Sequence, residues 1–240
     1  MKVVFLAGGY GSRISEYTSK IPKPMIKLSN KPIIEHLVNY YKYYGFKDFL
    51  IAGGYKVSIL KNFFDKSRIF KNIKVKVVNT GLNTLTGKRI YKLKKFLKNE
   101  ENFLLTYGDG ISDIDLNKLI KFHKKKNSIF TLSAVRPPAR FGELKMSGNK
   151  IVNFHEKPQM QKGWINGGFF VVNKKFFKFL PNKNVMLERE PFSKVSASGK
   201  MFAYKHQGFW KCIDTKRDLD QFGSIIKNKK FNLKLFKGAK

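Results

Sequence analysis

The sequence has little cysteine and no long hydrophobic run. Its single cysteine, Cys212, excludes a disulfide framework and any metal cluster built from several thiolates. No apolar run approaches the roughly 20 residues that a membrane-spanning helix needs, so we expect no membrane partner. The first apolar stretch is interrupted at Gly8, which makes it too short for a signal peptide. We therefore expect a cytoplasmic chain.

Acidic residues and arginine are also scarce. The 240 residues include 16 Asp and Glu against 49 Lys and Arg, which gives a formal net charge of +33, and only 7 of the 49 are Arg. A net positive charge favours a nucleic-acid partner. Proteins that recognise nucleic-acid bases and phosphates usually do so with arginine, however, because its guanidinium can form two parallel hydrogen bonds. The lysines are spread along the chain, and abundant Lys, Asn, Ile and Phe are typical of an AT-rich coding bias. We therefore predict no nucleic-acid partner, although the charge would attract polyanionic small substrates.

Strand and helix patterns alternate through the first part of the chain. With 42% hydrophobic residues, the chain can bury the core of one large domain. Short apolar runs and helical spacing of apolar residues predict strands at 2–6, 49–52, 73–78, 103–106 and 130–135, and helices at 32–44, 57–64, 90–97 and 115–122. This alternation predicts an α/β fold with a doubly wound, mainly parallel, Rossmann-like sheet.

The pattern changes after Pro137 and Pro138. Residues 142–172 are typical of short antiparallel strands with a turn at 147–149, and a helix at 188–199, a strand at 201–206 and a last helix from Thr215 follow. No repeat or low-complexity linker separates the two parts. We therefore predict one domain over 1–240, with a nucleotide-binding half at 1–136 and a second half at 137–240 that adds a small antiparallel extension.

A glycine-rich segment, LAGGYGSR at 6–13, follows the first strand directly. Ligands of open α/β sheets bind beyond the carboxyl ends of the strands, and glycines let backbone N–H groups approach phosphates. The dinucleotide fingerprint fails because its third position is Ile14, and no Gly-Lys-Ser or Gly-Lys-Thr completes a Walker motif. A plain turn is the alternative interpretation, but Arg13 directly after the glycines favours phosphate binding.

A second segment, PKPM at 22–25, holds Lys23 between two prolines. Together, LAGGYGSR and PKPM resemble the sugar-phosphate nucleotidyltransferases, or NDP-sugar pyrophosphorylases, whose pattern is L-A-G-G-x-G-T-R followed by P-K-P-M. Ser12 replaces the usual threonine and keeps the hydroxyl. Further motifs occur in the family's order: YGDG at 107–110, RFG at 140–142, EKP at 156–158, INGGFF at 165–170 and IDT at 213–215. The segment 79–89 and HQGFW at 206–210 are most similar to one branch, the glucose-1-phosphate cytidylyltransferases.

The resemblance implies a fold, a reaction and a set of site residues. The fold is that of glycosyltransferase-A-like nucleotidyltransferases, and the reaction is CTP with α-D-glucose 1-phosphate to CDP-glucose and pyrophosphate, a step of sugar-nucleotide biosynthesis such as that for lipopolysaccharide O-antigen. The implied catalytic residues are Arg13 and Lys23, and Asp109 and Asp214 would bind Mg²⁺. The implied nucleotide-binding residues are Leu6, Ala7, Gly8, Gly9, Tyr10, Gly11, Ser12, Arg13, Lys23, Thr84, Arg89 and Gly108. The implied sugar-phosphate-binding residues are Gly142, Glu156, Lys157, Asn166 and Gly167.

The two aspartates also have plain structural interpretations. Asp109 stands between glycines, as turn aspartates do, and Asp214 precedes a helix that its carboxylate could cap. Asp109 follows a strand, however, and Asp214 follows the short apolar stretch 209–213, so both belong at ends of elements where ligands bind. Two carboxylates from distant parts of a chain, with phosphate oxygens and water, are what Mg²⁺ uses.

The chain departs from the cytidylyltransferase branch at one place. Members of that branch typically carry a longer segment between the third strand and the T-G motif, whereas here only 74–79 intervenes. Because that segment can contribute to oligomeric assembly, the sequence leaves open whether the chain forms a homo-oligomer. A relative using UTP or dTTP, or a mannose or heptose phosphate, is the alternative enzyme, and a non-catalytic basic module that binds nucleotides or nucleic acid is the alternative of a different class.

Overall fold

The computed structural model describes residues 1–67, 70, 72–137, 143–155 and 163–227, and these form thirteen strands and eight α-helices. The strands are β1 (Val3–Ala7), β2 (Lys27–Leu28), β3 (Lys31–Pro32), β4 (Asp48–Gly53), β5 (Lys74–Asn79), β6 (Asn102–Tyr107), β7 (Gly110–Ser112), β8 (Phe130–Val135), β9 (Glu143–Ser147), β10 (Lys150–His155), β11 (Ile165–Asn173), β12 (Met201–Lys205) and β13 (Trp210–Cys212). The helices are α1 (Ser15–Thr18), α2 (Ile33–Tyr43), α3 (Val57–Lys66), α4 (Thr86–Lys92), α5 (Lys94–Leu97), α6 (Leu116–Lys125), α7 (Glu190–Ala197) and α8 (Lys216–Lys227).

The central sheet has seven strands in the spatial order β12-β8-β11-β6-β1-β4-β5. Neighbours pair in parallel except at β11, which runs antiparallel to both β6 and β8. This confirms the predicted α/β fold with a mainly parallel sheet. Two-stranded pairs β2–β3, β7–β13 and β9–β10 lie outside the central sheet.

One prediction for the second half of the chain needs correction. The sequence pattern predicted only short antiparallel strands over 142–172, but β11 is nine residues long and lies inside the central sheet. Its residues 169–172, Phe-Phe-Val-Val, are fully buried on both faces, which is what a central strand requires. The short antiparallel pair is the hairpin β9–β10, with the predicted turn at 147–149.

Two apolar cores lie on opposite faces of the sheet. Along β1, Val3 and Phe5 point into one core and Val4 into the other, because successive side chains of a strand alternate. Helices α2, α3, α6 and α8 contribute buried residues to the first core, and α4, α5 and α7 contribute to the second. Helices on both faces are the doubly wound arrangement, and they leave the ends of the strands open to ligands.

Most predicted elements differ from the observed ones only at their ends, and one differs more. The predicted helix 90–97 is the two helices α4 and α5, and α4 begins at Thr86 although Gly87 disfavours a helix. Gly87 fits because its N–H donates to the carbonyl of Val185, which lies too close for a larger side chain. Asp115 caps α6 as predicted, accepting from the backbone N–H of Lys118 at 3.0 Å.

None of the helices in the described part of the chain is both long enough and apolar enough to cross a membrane.

Candidate functional site

The loops after β1, β4, β5 and β6 meet at one edge of the sheet. The carbonyl of Gly8, in the loop after β1, accepts from the N–H of Tyr55 at 3.1 Å. The N–H of Gly108, directly after β6, donates to the carbonyl of Leu6 at 3.2 Å. The glycine-rich segment 8–11 therefore lies at the carboxyl edge, where parallel sheets bind ligands.

Gly11 is the position in this segment where the backbone requires glycine. Its φ is +67°, and a Cβ there would lie 3.1 Å from Cβ of Lys23. The missing side chain thus lets the segment around Lys23 pack against the loop. A short 3₁₀ turn, Ser12–Ile14, follows and carries Arg13, whose side chain is 73% exposed.

Lys23 is positioned by a backbone turn and by ion pairs of its side chain. It begins a 3₁₀ turn, Lys23–Met25, in which the N–H of Met25 donates to the carbonyl of Pro22 at 2.8 Å. Its side chain is only 12% exposed, and Nζ lies 2.6 Å from Oδ2 of Asp109 and 2.5 Å from Oδ1 of Asp214. Burial acts to lower the pKa of Lys23, but attraction by Asp109 and hydrogen bonds to both carboxylates raise it above the ordinary 10.5. The ammonium therefore stays charged.

Strand pairing brings the two aspartates together. Asp109 lies between β6 and β7, and Asp214 follows β13 and Ile213. Because β13 pairs with β7, the N–H of Ile213 donates to the carbonyl of Asp109 at 2.9 Å. Oδ2 of Asp214 also accepts from Nη1 of Arg13 at 2.5 Å. Four residues that were predicted separately from sequence, Arg13, Lys23, Asp109 and Asp214, thus form one charged cluster.

Asp214 does not have the capping role that its position before a helix allowed. The cap of α8 consists of Thr215 and Asp218 instead: Oδ2 of Asp218 accepts from the N–H groups of Asp214 and Thr215 at 3.1 and 2.9 Å. Burial acts to raise the pKa of Asp218, but hydrogen bonds from Thr215 and Asp214 lower it overall. The carboxylate of Asp214 is therefore free to face Lys23 and Arg13.

Cys212 completes the surroundings of the two carboxylates. One ligand atom each from Asp109, Cys212 and Asp214 lies within 4.8 Å of the others. Burial, and next the charges of the two carboxylates, raise the pKa of the Cys212 thiol well above its ordinary 9.0. The two carboxylates fit Mg²⁺ as a donor set, because they supply hard oxygens and already hold the ammonium of Lys23 between them.

Thr84 and Arg89 both form hydrogen bonds within the protein, and Arg89 contacts Gly8 of the glycine-rich segment. Oγ1 of Thr84 donates to the carbonyl of Thr80 at 2.7 Å. Arg89 is 3% exposed, and burial lowers its pKa. Its guanidinium donates to Oγ1 of Thr80 and to the carbonyls of Gly8, Gly53, Gly81 and Leu82. Arg89 therefore joins the loops after β1, β4 and β5.

Asn166 and Gly167 lie at the start of β11, near the same edge. Oδ1 of Asn166 accepts from the N–H of Gly168 at 2.9 Å, and the carbonyl of Gly167 accepts from Nε1 of Trp210 at 2.7 Å. The other sugar-phosphate residues that the resemblance implies, Gly142, Glu156 and Lys157, lie outside the described residues.

Sequence reasoning missed a second polar group, formed by Tyr107 and Glu188. The hydroxyl of Tyr107 donates to Oε1 of Glu188 at 2.5 Å and accepts from Nδ2 of Asn166 at 3.4 Å, while Oγ1 of Thr86 donates to Oε2 of Glu188 at 2.8 Å. Burial, and then the charge of Glu188, raise the pKa of Tyr107. Tyr107 stands in the YGDG motif, but no local pattern marked Glu188.

Comparisons with known proteins identify the family and the fold. The model of the family described as "Nucleotidyl transferase" matches residues 2–227. Glucose-1-phosphate cytidylyltransferase of Salmonella typhi is 38% identical over 238 residues, covering 91% of this chain and 93% of that protein. A probable glucose-1-phosphate cytidylyltransferase of Bacillus subtilis is 37% identical over 239 residues, with the same coverage. The solved structure of HddC from Yersinia pseudotuberculosis shares the fold, with a TM-score of 0.74 at 24% identity, covering 94% of this chain and 99% of that one.

Proposed function

The chain belongs to the nucleotidyl transferase family, and from this premise we propose that it transfers a cytidylyl group from CTP to α-D-glucose 1-phosphate, giving CDP-glucose and pyrophosphate. The cytidylyltransferases of Salmonella typhi and Bacillus subtilis, 38% and 37% identical, support the choice of substrates. The observation that carries the proposal is the cluster of Arg13, Lys23, Asp109 and Asp214 beside the glycine-rich segment.

The reaction needs no covalent intermediate with the protein. A phosphate oxygen of the sugar phosphate attacks the α-phosphorus of CTP in line, a new P–O bond forms, and the bond to the leaving pyrophosphate breaks. Catalysis of such a step consists mostly of positioning and neutralising charge. The residues needed are therefore backbone N–H groups and fixed cations, which this edge of the sheet supplies.

Each group of the cluster has a proposed task. The backbone of 8–11 binds the triphosphate, and the exposed Arg13 stabilises the charge that develops on pyrophosphate. Lys23 is partly buried and held by its turn, so we assign it to the α-phosphate, where negative charge must be neutralised in the transition state. Asp109 and Asp214 would hold Mg²⁺, which supplies further neutralisation of phosphate charge when bound.

The second half of the chain is proposed to bind the sugar phosphate. Asn166 and Gly167 lie near the same edge and provide polar atoms and close backbone approach to a sugar. The phosphate and the hydroxyl groups of the sugar phosphate are proposed to be bound by Gly142, Glu156 and Lys157. Strands from 1–136 and from 137–240 share the seven-stranded sheet, so we treat the chain as one domain with two substrate-binding halves. Because CTP is a cytoplasmic metabolite, we place the reaction in the cytoplasm.

A pyrophosphate-release screen tests the proposal. CTP, UTP, GTP, ATP and dTTP are each combined with glucose, mannose and heptose 1-phosphates, with Mg²⁺ present. We expect the highest kcat/KM for CTP with glucose 1-phosphate. A value tenfold higher with UTP or dTTP, a difference of about 1.4 kcal/mol, would contradict the choice of base. If no pair of substrates released pyrophosphate, the proposed enzymatic activity would be contradicted and a non-catalytic nucleotide-binding module would be favoured.

A further inference from the structure

The segment HQGFW at 206–210 connects the central sheet to the strand that carries Asp214 toward the candidate site. It begins directly after β12, where the N–H of His206 donates to the carbonyl of Ala134 at 2.8 Å. It ends at Trp210, the first residue of β13. Since β13 pairs with β7, the course of this segment decides how β13 arrives beside the candidate site.

The imidazole of His206 holds the segment against the end of β7. Its Nε2 lies 2.9 Å from Oδ1 of Asp113 and 3.2 Å from the carbonyl oxygen of Phe209. Both oxygens are acceptors, so Nε2 carries the hydrogen. The same carbonyl accepts from the N–H of Asp113 at 3.2 Å and from Oγ of Ser112 at 2.7 Å. Side chains and backbone thus fix the carbonyl that directly precedes Trp210.

Gly208 allows His206 and Asp113 to meet. A Cβ at this position would lie 2.6 Å from Oδ1 of Asp113 and 2.7 Å from Cε1 of His206, too close for either to stay in place. Oδ1 of Asp113 is buried, and a buried carboxylate oxygen is costly to leave without a partner. The contact between the two side chains therefore depends on the missing side chain of Gly208.

The indole of Trp210 connects β13 to the half of the chain that is proposed to bind the sugar phosphate. Nε1 of Trp210 donates to the carbonyl of Gly167 at 2.7 Å. Gly167 is packed closely against β8, because a Cβ added to it would lie 2.7 Å from Oγ of Ser133. Asn166 stands next to Gly167, and Asp214 lies four positions after Trp210. One hydrogen bond therefore joins the strand before Asp214 to the start of β11.

We propose that Trp210, held by the contact between His206 and Asp113, is a positioning residue that sets the sugar phosphate against the nucleotide. This inference rests on the proposed function, in which Asp214 belongs to the charged cluster at the nucleotide and Asn166 contacts the sugar. In-line attack needs the reacting atoms about 3 to 3.5 Å apart, and a displacement of about 1 Å can cost about a hundredfold in rate. The bond from Trp210 to β11 should therefore affect the rate of transfer more than the binding of either substrate.

Trp210→Phe tests the bond, because phenylalanine keeps an aromatic ring and lacks the N–H. We expect kcat with CTP and glucose 1-phosphate to fall by at least about tenfold, with KM for each substrate changed by less than about twofold. His206→Leu should act like Trp210→Phe. His206→Gln keeps a side-chain N–H donor and should retain most of the native kcat.

Ser128→Ala is the matched control. Oγ of Ser128 also donates to a backbone carbonyl, that of Lys200 at 3.1 Å, but the two residues directly precede β8 and β12 and so lie at the opposite edge of the sheet. This variant should lower the melting temperature and leave kcat and both KM values unchanged. Circular dichroism verifies that each variant folds.

Exchange of the indole N–H with solvent checks the same contacts without substrates. The chain has two tryptophans, so Trp210→Phe identifies the indole signal of Trp210 in a nuclear magnetic resonance spectrum. That N–H should exchange at least about tenfold faster in His206→Leu than in the native protein, because the segment that holds the indole is loosened. Its rate in His206→Gln and in Ser128→Ala should stay near the native rate.

Three outcomes would overturn the proposal. Native kcat in a folded Trp210→Phe would show that the bond does not serve the reaction. Higher KM for both substrates together with a lower melting temperature, at unchanged kcat, would show a general structural effect. An unchanged indole exchange rate in His206→Leu would show that His206 does not hold Trp210. Absence of pyrophosphate release by the native protein is instead a failure of the proposed function, which the screen detects before any variant is made.

Discussion

Lys23 and Asp109 are 86 positions apart in the chain, yet their side chains form an ion pair of 2.6 Å. Asp214, another 105 positions beyond Asp109, accepts a hydrogen bond from the same ammonium at 2.5 Å. One lysine therefore holds two carboxylates that would otherwise repel each other. This arrangement determines what should happen when any of the three is replaced.

Replacement of Lys23 by alanine should abolish most turnover and leave the fold intact. A fixed cation at the α-phosphate stabilises the transition state more than the ground state, so kcat should fall more than KM rises. Steady-state kinetics and circular dichroism measure the two effects. Lys20→Ala, at an exposed position three residues earlier, is the matched control. Near-normal turnover of Lys23→Ala would show that Lys23 has no catalytic role.

The same variant should bind a divalent cation more tightly when no nucleotide is present. The ammonium of Lys23 competes for the two carboxylates, and an ion pair of this kind is worth on the order of 1 kcal/mol. Mn²⁺ affinity, measured by electron paramagnetic resonance, should therefore increase by about fivefold. Weaker Mn²⁺ binding by Lys23→Ala would contradict competition for a shared place.

Asp109→Asn and Asp214→Asn should each lose metal-dependent activity and keep a melting temperature within a few degrees of the native protein. Asparagine keeps the size of the side chain but removes the charge that a hard divalent cation needs. Because both residues would serve one ion, the double variant should be little worse than the worse single variant.

A control for this pair is Asp115, whose carboxylate caps α6. Asp115→Ala should lower the free energy of unfolding by about 1 kcal/mol and leave the response to Mg²⁺ unchanged. If the two site variants behaved like Asp115→Ala, a structural role would explain them. If the native protein kept full activity in EDTA, this would show that the reaction needs no divalent cation.

Tyr107→Phe should raise KM for glucose 1-phosphate more than KM for CTP. The tyrosine hydroxyl links Glu188 to Asn166, and Asn166 is proposed to contact the sugar. Loss of one such hydrogen bond costs about 1 kcal/mol, so an increase of about fivefold is expected. Tyr43→Phe, at an exposed tyrosine, serves as the control. Equal changes for the two substrates would argue for a general structural effect.

Ionisation of Glu100 should make part of the free energy of unfolding depend on pH at acidic pH. Glu100 accepts from Nζ of Lys2 at 3.0 Å and pairs with the N-terminal amine at 3.3 Å. Burial acts to raise the pKa of Glu100, but the hydrogen bond and charge of Lys2 and the charge of the N-terminus lower it below the ordinary 4.5. Because the pKa of Glu100 is lower in the folded state than in the unfolded state, the ionised carboxylate stabilises the protein at pH values above its unfolded-state pKa. This contribution is lost as the pH falls through its folded-state pKa.

Glu100→Gln should therefore destabilise the protein at pH 7, by on the order of 1 kcal/mol for a partly exposed pair. The difference from the native protein should shrink as the pH falls below 4.5. Urea unfolding at several pH values measures it, with Glu16→Gln, at an exposed glutamate, as the control. A difference independent of pH would contradict the ion pair.

Local patterns in the sequence were enough for most elements of the fold. Apolar runs predicted the strands because a strand buried on both faces is rich in apolar residues, and β1 is apolar at every position. The start of α4 was missed because Gly87 disfavours a helix locally, and contact with Val185, 98 positions away, outweighs that preference. The place of β11 in the central sheet likewise depends on partners that no local pattern reveals.

The sequence by itself determined which chemical groups this protein carries: a glycine-rich segment after the first strand, a lysine fixed between prolines, and two aspartates next to strands. Only the tertiary structure decided which of them meet. Parallel strands bring the ends of β1 and β6 to one edge, and the pairing of β13 with β7 carries Asp214 and Cys212 to Asp109. The contact between Tyr107 and Glu188 arises in the same way. Such long-range contacts depend on the packing of the whole chain, because the free energy that holds them comes from burial and not from neighbours in sequence.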